Sequence, residues 1–109
     1  PTVKPENMRE GVCNTLYDHG ANEPEQYSIP VSPVGSGRYA YWYEHYQVTD
    51  RARIYLNGSL IEDTGCTGGS DTVDLPALSG GGQVKIIIDP KCDPSEKSGT
   101  QWKFELSCP

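Results

Sequence analysis

TDRARIYLNGSLIEDTG, residues 49–65, decides the fold of this chain. Ala52, Ile54 and Leu56 alternate with Arg51, Arg53 and Tyr55, the period of two that a strand shows when one face is buried and the other wet. Asn57-Gly58 then reverses the chain. Both central positions of a type I′ turn need positive φ, which Asn tolerates and Gly adopts freely, so Leu60 and Ile61 are expected to return antiparallel to Ile54 and Leu56. Asp50 and Asp63 fall together at the open end of this hairpin.

Upstream of the hairpin, RYAYWYEHY (38–46) reads as a long strand with aromatic residues on both faces. Tyr39, Tyr41, Tyr43 and His45 share one face; Ala40, Trp42, Glu44 and Tyr46 share the other. Ala40 and Trp42 suit the interior, which exposes a row of tyrosines; the reverse assignment puts that row in the core. Earlier still, Tyr27, Ile29 and Val31 alternate in a strand over 26–31 that Pro30 restricts to a sheet edge. A short strand is expected over 12–17, with turns at 18–25 and 33–37. Residues 1–11, PTVKPENMREG, are polar with two prolines and read as an N-terminal arm, leaving 12–109 as one domain.

Downstream, DTGCTGGS (63–70) is a loop, a strand follows near 71–75, and 76–82 is a glycine-rich loop. Val84, Ile86 and Ile88 are in phase over 83–88 and mark a core strand. DPKCDPSEKSG (89–99) is a long polar loop, after which 100–107 closes the domain with Trp102, Phe104 and Leu106 inward. Twelve Gly and nine Pro punctuate these short runs, and no helical periodicity is sustained. The class is therefore all-β, an antiparallel β-sandwich of seven to eight strands.

If strands alternate direction, the loops at 47–50, 63–70 and 89–99 share one end of the sandwich, and those at 32–37, 57–58 and 76–82 share the other. Cys66 and Cys92 then meet at the first end, and Cys13 and Cys108 meet at the opposite end. Four cysteines in a short chain without a C-x-x-C pair point to two disulfides and an oxidising compartment. A secreted location follows, with a virion surface as the alternative. The start at Pro1, with no signal peptide before it, fits removal of a leader, trimming, or loss of an initiator Met. No apolar run of about 18 residues is present, so no helical membrane span is expected.

The formal net charge of −6 argues against a nucleic-acid partner, because phosphate binding needs a basic face and the nine Lys and Arg are scattered. It leaves cations and neutral polymers open. Alternation also gathers Asp50, Asp63, Asp71, Asp89 and Asp93 at the Cys66 end. Calcium takes six to eight oxygens, so a Ca2+ site is expected from Asp50, Asp63 and Asp89, with Asp71 as a further candidate. The competing reading is that these aspartates serve their own turns.

Tyr39, Tyr41, Trp42, Tyr43 and Tyr55 are the candidate ligand-binding aromatics, since exposed rings stack on sugars or pack on a partner. The alternative is that they are core residues or ordinary cross-strand pairs. Catalysis has little to build on. The two histidines, His19 and His45, are not paired with a nucleophile by any motif, and disulfides remove the thiols.

DRARIYLNGSLIEDTG followed by a Gly-rich loop and then GTQWKFELSCP resembles a β-sandwich module of secreted multidomain bacterial proteins and some phage structural proteins, and in outline is similar to CUB-like domains. Asp50, Tyr55, Gly58, Asp63, Thr64, Gly65, Gly99, Thr100, Trp102, Cys108 and Pro109 carry the resemblance, whereas the cysteine positions depart from the usual CUB pattern. It implies an extracellular, non-catalytic accessory role, and CUB-like domains often hold calcium on an acidic loop rim. The expected function is a binding module for a polysaccharide or cell-surface glycan, with Ca2+ as its cofactor. The alternative is a structural subunit, such as a phage decoration protein, an adhesin or a filament domain, that meets copies of itself or a neighbouring structural protein.

Overall fold

The Asn57-Gly58 turn forms as its residues require, with φ of 49° at Asn57 and 90° at Gly58. It joins strands Asp50–Leu56 and Ser59–Asp63 in a computed structural model that describes residues 3–18, 22–32, 38–75, 81–96 and 99–109. In chain order the strands of the described residues are β1 (Met8–Glu10), β2 (Leu16–Asp18), β3 (Glu25–Val31), β4 (Ala40–Glu44), β5 (Asp50–Leu56), β6 (Ser59–Asp63), β7 (Ser70–Asp74), β8 (Gly82–Pro90) and β9 (Lys103–Ser107). One sheet has the order β1-β3-β8-β5-β6 and the other β2-β9-β4-β7. Every pairing is antiparallel except β1 with β3.

The in-phase residues of β8 and β5 behave as expected: Val84, Ile86, Ala52 and Ile54 are sealed from solvent. Between the sheets they meet the aromatic residues of β3, β4 and β9. Phe104 lies at the centre, its ring centroid 4.9 Å from Tyr27, 5.4 Å from Tyr17 and 5.6 Å from Tyr41. Burial of this aromatic area is the main favourable term for so small a domain. Both disulfides pair as expected, Cys13 with Cys108 and Cys66 with Cys92, at opposite ends of the sandwich.

Four expectations need correction. The face of β4 is reversed: Tyr39, Tyr41 and Tyr43 are 3%, 0% and 5% exposed, and Trp42 faces outward. The reason is the partner strand. Tyr41 pairs with Leu106 and Tyr43 with Phe104, and residues in register share a face, so the tyrosines join the apolar row of β9. Second, residues 8–10 are not part of a free arm but form β1 against Gln26–Ser28 of β3, and Val3 is buried. Third, the strand expected over 12–17 is Leu16–Asp18, because the chain first turns through Asn14 at φ 60°.

Fourth, β3 lies between β1 and β8 rather than at an edge. Pro30 is tolerated because β1 pairs only as far as Ser28, so the missing amide faces no partner strand. The turn expected at 33–37 and most of the glycine-rich loop at 76–82 lie outside the described residues.

Candidate functional site

The outer face of the four-stranded sheet is built by alternation. Leu16, Glu105, Trp42 and Thr72 line up across β2, β9, β4 and β7, and the next row is Asp18, Lys103, Glu44 and Ser70. Trp42 is thus central and half-buried, while Leu16 is 49% exposed. Lys103 Nζ lies 5.9 Å from the Trp42 ring centroid and 5.8 Å from that of Tyr46, so one ammonium is shared by two aromatic faces. The Tyr46 hydroxyl, then Asp18 and Glu44, hold the Lys103 ammonium above its ordinary pKa. Arg38 and Asp74 form an exposed ion pair on strand β7's side of the face.

Tyr46 follows β4 in an unusual conformation. Its φ is 59°, the left-handed region that bulky residues avoid. Three contacts hold it there. Its amide donates to Glu44 Oε2 at 3.0 Å, its carbonyl accepts the Gly69 amide at 2.7 Å, and Gly68 sits so close that an added Cβ would meet the Tyr46 carbonyl oxygen at 2.9 Å. The ring nevertheless remains 39% exposed.

The Cys66 end of the sandwich is polar inside. Asp50 continues the inward phase of Ala52 and Ile54 and is sealed from solvent. Its carboxylate accepts the Thr100 hydroxyl at 2.7 and 2.9 Å and the Lys91 amide at 3.0 Å. Its backbone exchanges two hydrogen bonds with Thr67, and the Cys92 amide donates to Thr49 O, so Asp50 sits where three loops are joined. His45 is buried beside it, its ring centroid 4.3 Å from that of Tyr43 at a tilt of 35°, with Nδ1 3.0 Å from the Thr67 carbonyl. That contact makes Nδ1 the protonated nitrogen of the neutral ring. Burial lowers the His45 pKa, while the Thr67 carbonyl opposes the shift.

Burial pushes the Asp50 carboxyl up to about 6, against the Lys91 amide and the Thr100 hydroxyl. Unfolded, it titrates near 3.8, so the folded state holds the proton more tightly. The stabilisation from Asp50 is therefore complete below pH 3.8 and is lost as the pH rises through about 6. His45 acts oppositely, its contribution being present above pH 6.5 and lost as pH falls through its lowered value. Asp50→Asn keeps an acceptor for Lys91 and Thr100 but does not titrate. Wild-type stability relative to Asp50→Asn should thus fall by about 2–3 kcal/mol between about pH 4 and pH 7.5 in urea titrations. A flat difference would show that the carboxyl is hydrated.

The aspartates expected to share calcium are separated by the same alternation. Asp50 points inward; Asp89, in register with Arg51, and Asp63, in register with Arg53, lie on the outward phase. Asp63 is engaged by the Arg51 guanidinium and the Gly65 amide at 2.9 Å, and the Arg51 hydrogen bond lowers its pKa first of all. Asp71 is in the other sheet and accepts its neighbour's amide at Thr72. Asp93 accepts both the amide and the hydroxyl of Ser95. Among the described residues no three His, Cys, Asp or Glu side chains gather as a metal-binding set.

Of the expected ligand-binding aromatics, Tyr39, Tyr41 and Tyr43 are core residues. Trp42 and Tyr55 are partly exposed, but on different sheets. Lys103, in the row beside Trp42, and Tyr46, just beyond β4, were not among the sequence candidates; the Gly68-Gly69 pair that shapes Tyr46 was the available signal. His19 lies outside the described residues.

These features define a class, a small two-sheet sandwich module closed by a disulfide at each end. No family model matches the sequence, and no curated protein matches it. Among solved structures the chain is similar to the pre-peptidase C-terminal domain of a collagenase from Bacillus anthracis, with a TM-score of 0.72, 10% identity, and coverage of 97% of this chain and 100% of that one. The likeness is one of fold. It supports the β-sandwich module broadly, and the neighbour is a pre-peptidase C-terminal domain rather than a CUB domain.

Proposed function

We propose that this domain is an extracellular, non-catalytic module that fastens a larger protein to a surface polymer, a glycan in the first instance, through the outer face of its four-stranded sheet. The carrying observation is the outward Trp42, which shares the Lys103 ammonium with the exposed ring of Tyr46 on a face that otherwise carries charged and hydroxyl side chains together with Leu16 and Ala40. Two disulfides support an oxidising compartment. A fold shared with a domain of a collagenase supports an accessory role beside an enzyme. The groups with chemistry-like pKa shifts, Asp50 and His45, are packed into the interior and hold loops together, which favours a structural task for them.

The test is retention of the oxidised domain on a panel of insoluble polysaccharides and its retardation in gels containing soluble ones. Retardation by at least one polymer is expected; unaltered migration throughout would overturn the reading. Repeating the assay and the thermal melts in EDTA and in millimolar Ca2+ decides the calcium part. Dependence on calcium that disappears in Asp89→Asn would assign the metal to the rim, and identical behaviour would leave each aspartate to its local partner.

A further inference from the structure

We infer that Trp42, Lys103 and Tyr46 form the ligand row itself, and that the ligand is a neutral, hydroxyl-rich polysaccharide lying across the sheet; this deepens the binding role proposed above and rests on it. The first ground is the backbone of Tyr46. A bulky residue at φ 59° is held against a cost of order 1–3 kcal/mol, and such strain persists only where surrounding contacts impose it. Here the Gly69 amide, the Glu44 carboxylate and the bare Cα of Gly68 impose it. The residue is not taken into the core by it, since Tyr46 stays 39% exposed. What the conformation accompanies is an aromatic ring set 5.8 Å from Lys103 Nζ, as close as Trp42 at 5.9 Å.

The second ground is charge. Around the two rings stand the carboxylates of Asp18, Glu44 and Glu105, against the single ammonium of Lys103 within these two rows. With a net charge of −6 on the whole chain, phosphate, sulfate and uronate polymers are repelled. Sugar hydroxyls suit the same groups. They donate to carboxylate oxygens and accept from Lys103, while the C–H face of a sugar ring covers Trp42 or Tyr46. An open sheet face suits a chain passing over it rather than a captured chain end.

The experiment is affinity electrophoresis of the oxidised domain against a soluble neutral glucan, xylan and galactomannan, with alginate and chitosan as the anionic and cationic comparisons. Wild type should be retarded by a neutral polymer, and Trp42→Ala and Tyr46→Ala should each weaken that binding about tenfold or more. Gly68→Ala presses on the Tyr46 carbonyl without touching the ligand and should weaken it severalfold, with both rings still present. Tyr55→Ala, on the other sheet, should bind as wild type, and melting curves confirm folding of each variant. Neutral-polymer binding that survives both ring removals would sink the assigned site while leaving the module's role intact. Preference for alginate or chitosan would overturn the ligand class, and failure of wild type to bind any polymer would overturn the binding role together with this inference.

Discussion

Replacing Cys13 and Cys108 together by serine is expected to lower the stability of the folded domain by about 4 kcal/mol, more than any other pair of substitutions outside the core. The bridge joins residues 95 apart in sequence, so it removes the loop entropy of nearly the whole unfolded chain, whereas Cys66 and Cys92 are only 26 apart. On loop-entropy grounds the longer closure contributes about 4–5 kcal/mol and the shorter about 3–4. Against the 5–15 kcal/mol typical of a domain this size, the first loss leaves little. Urea titrations of the two double-serine variants measure the difference, and the Cys13/Cys108 variant should also show the steeper denaturant dependence because its unfolded state is more open. An equal or smaller loss than for the Cys66/Cys92 variant would mean that the hydrogen bonds linking Asn14 to Leu106 and Cys108 already hold this end together.

Phe104→Ala is expected to cost about 3–5 kcal/mol, the range for deleting a fully buried aromatic ring. Phe104 is sealed from solvent and contacts the rings of Tyr17, Tyr27, Tyr41 and Trp102, so truncation opens a cavity bounded by stiff groups that cannot collapse into it. Trp42→Ala removes a larger side chain but should cost only about 1 kcal/mol, because Trp42 lies on the outer face. Chemical denaturation of the two variants therefore reports which face of β4 is inside. Comparable losses would mean that Trp42 is a core residue and that the Tyr row faces out.

That face shows where the sequence was informative and where it was not. The hairpin was legible because one residue pair, Asn57-Gly58, fixes its turn, and Ala52 and Ile54 leave no doubt about the buried side. The cysteine pairing was legible because it depends only on which end of the sandwich each loop occupies. β4 carries aromatic residues in both phases, so its orientation is settled by its neighbour: β9, with Phe104 and Leu106 in clear alternation, imposes its face on Tyr41 and Tyr43. Strand pairing is a long-range fact that periodicity within β4 does not contain.

The arrangement of the acidic residues was only partly legible, for a related reason. Alternating strand direction places residues at an end, but their sequence parity assigns them to a face. Asp50 shares parity with Ala52 and Ile54, and Asp89 lies out of phase with Ile86 and Ile88, so the same strands that bring these carboxylates to one end aim them apart. Periodicity put Tyr46 on the Trp42 face but not in its left-handed conformation beyond the end of β4, which is imposed from Gly68 and Gly69 across the sheet end.

Cys13 and Cys108 also determine how the domain would carry load as one link in a longer tether. Their Cα atoms are 5.8 Å apart, so tension entering before residue 13 and leaving after residue 108 crosses a single covalent bridge, and residues 14–107 are bypassed. Among the described strands only β1, which precedes Cys13 and pairs with β3, lies in the loaded path, and the four-stranded sheet does not have to resist shear. Reduction would release up to about 300 Å of slack. From Cys13 onward the oxidised domain is therefore an inextensible rivet, and the reduced one a spring that can run out.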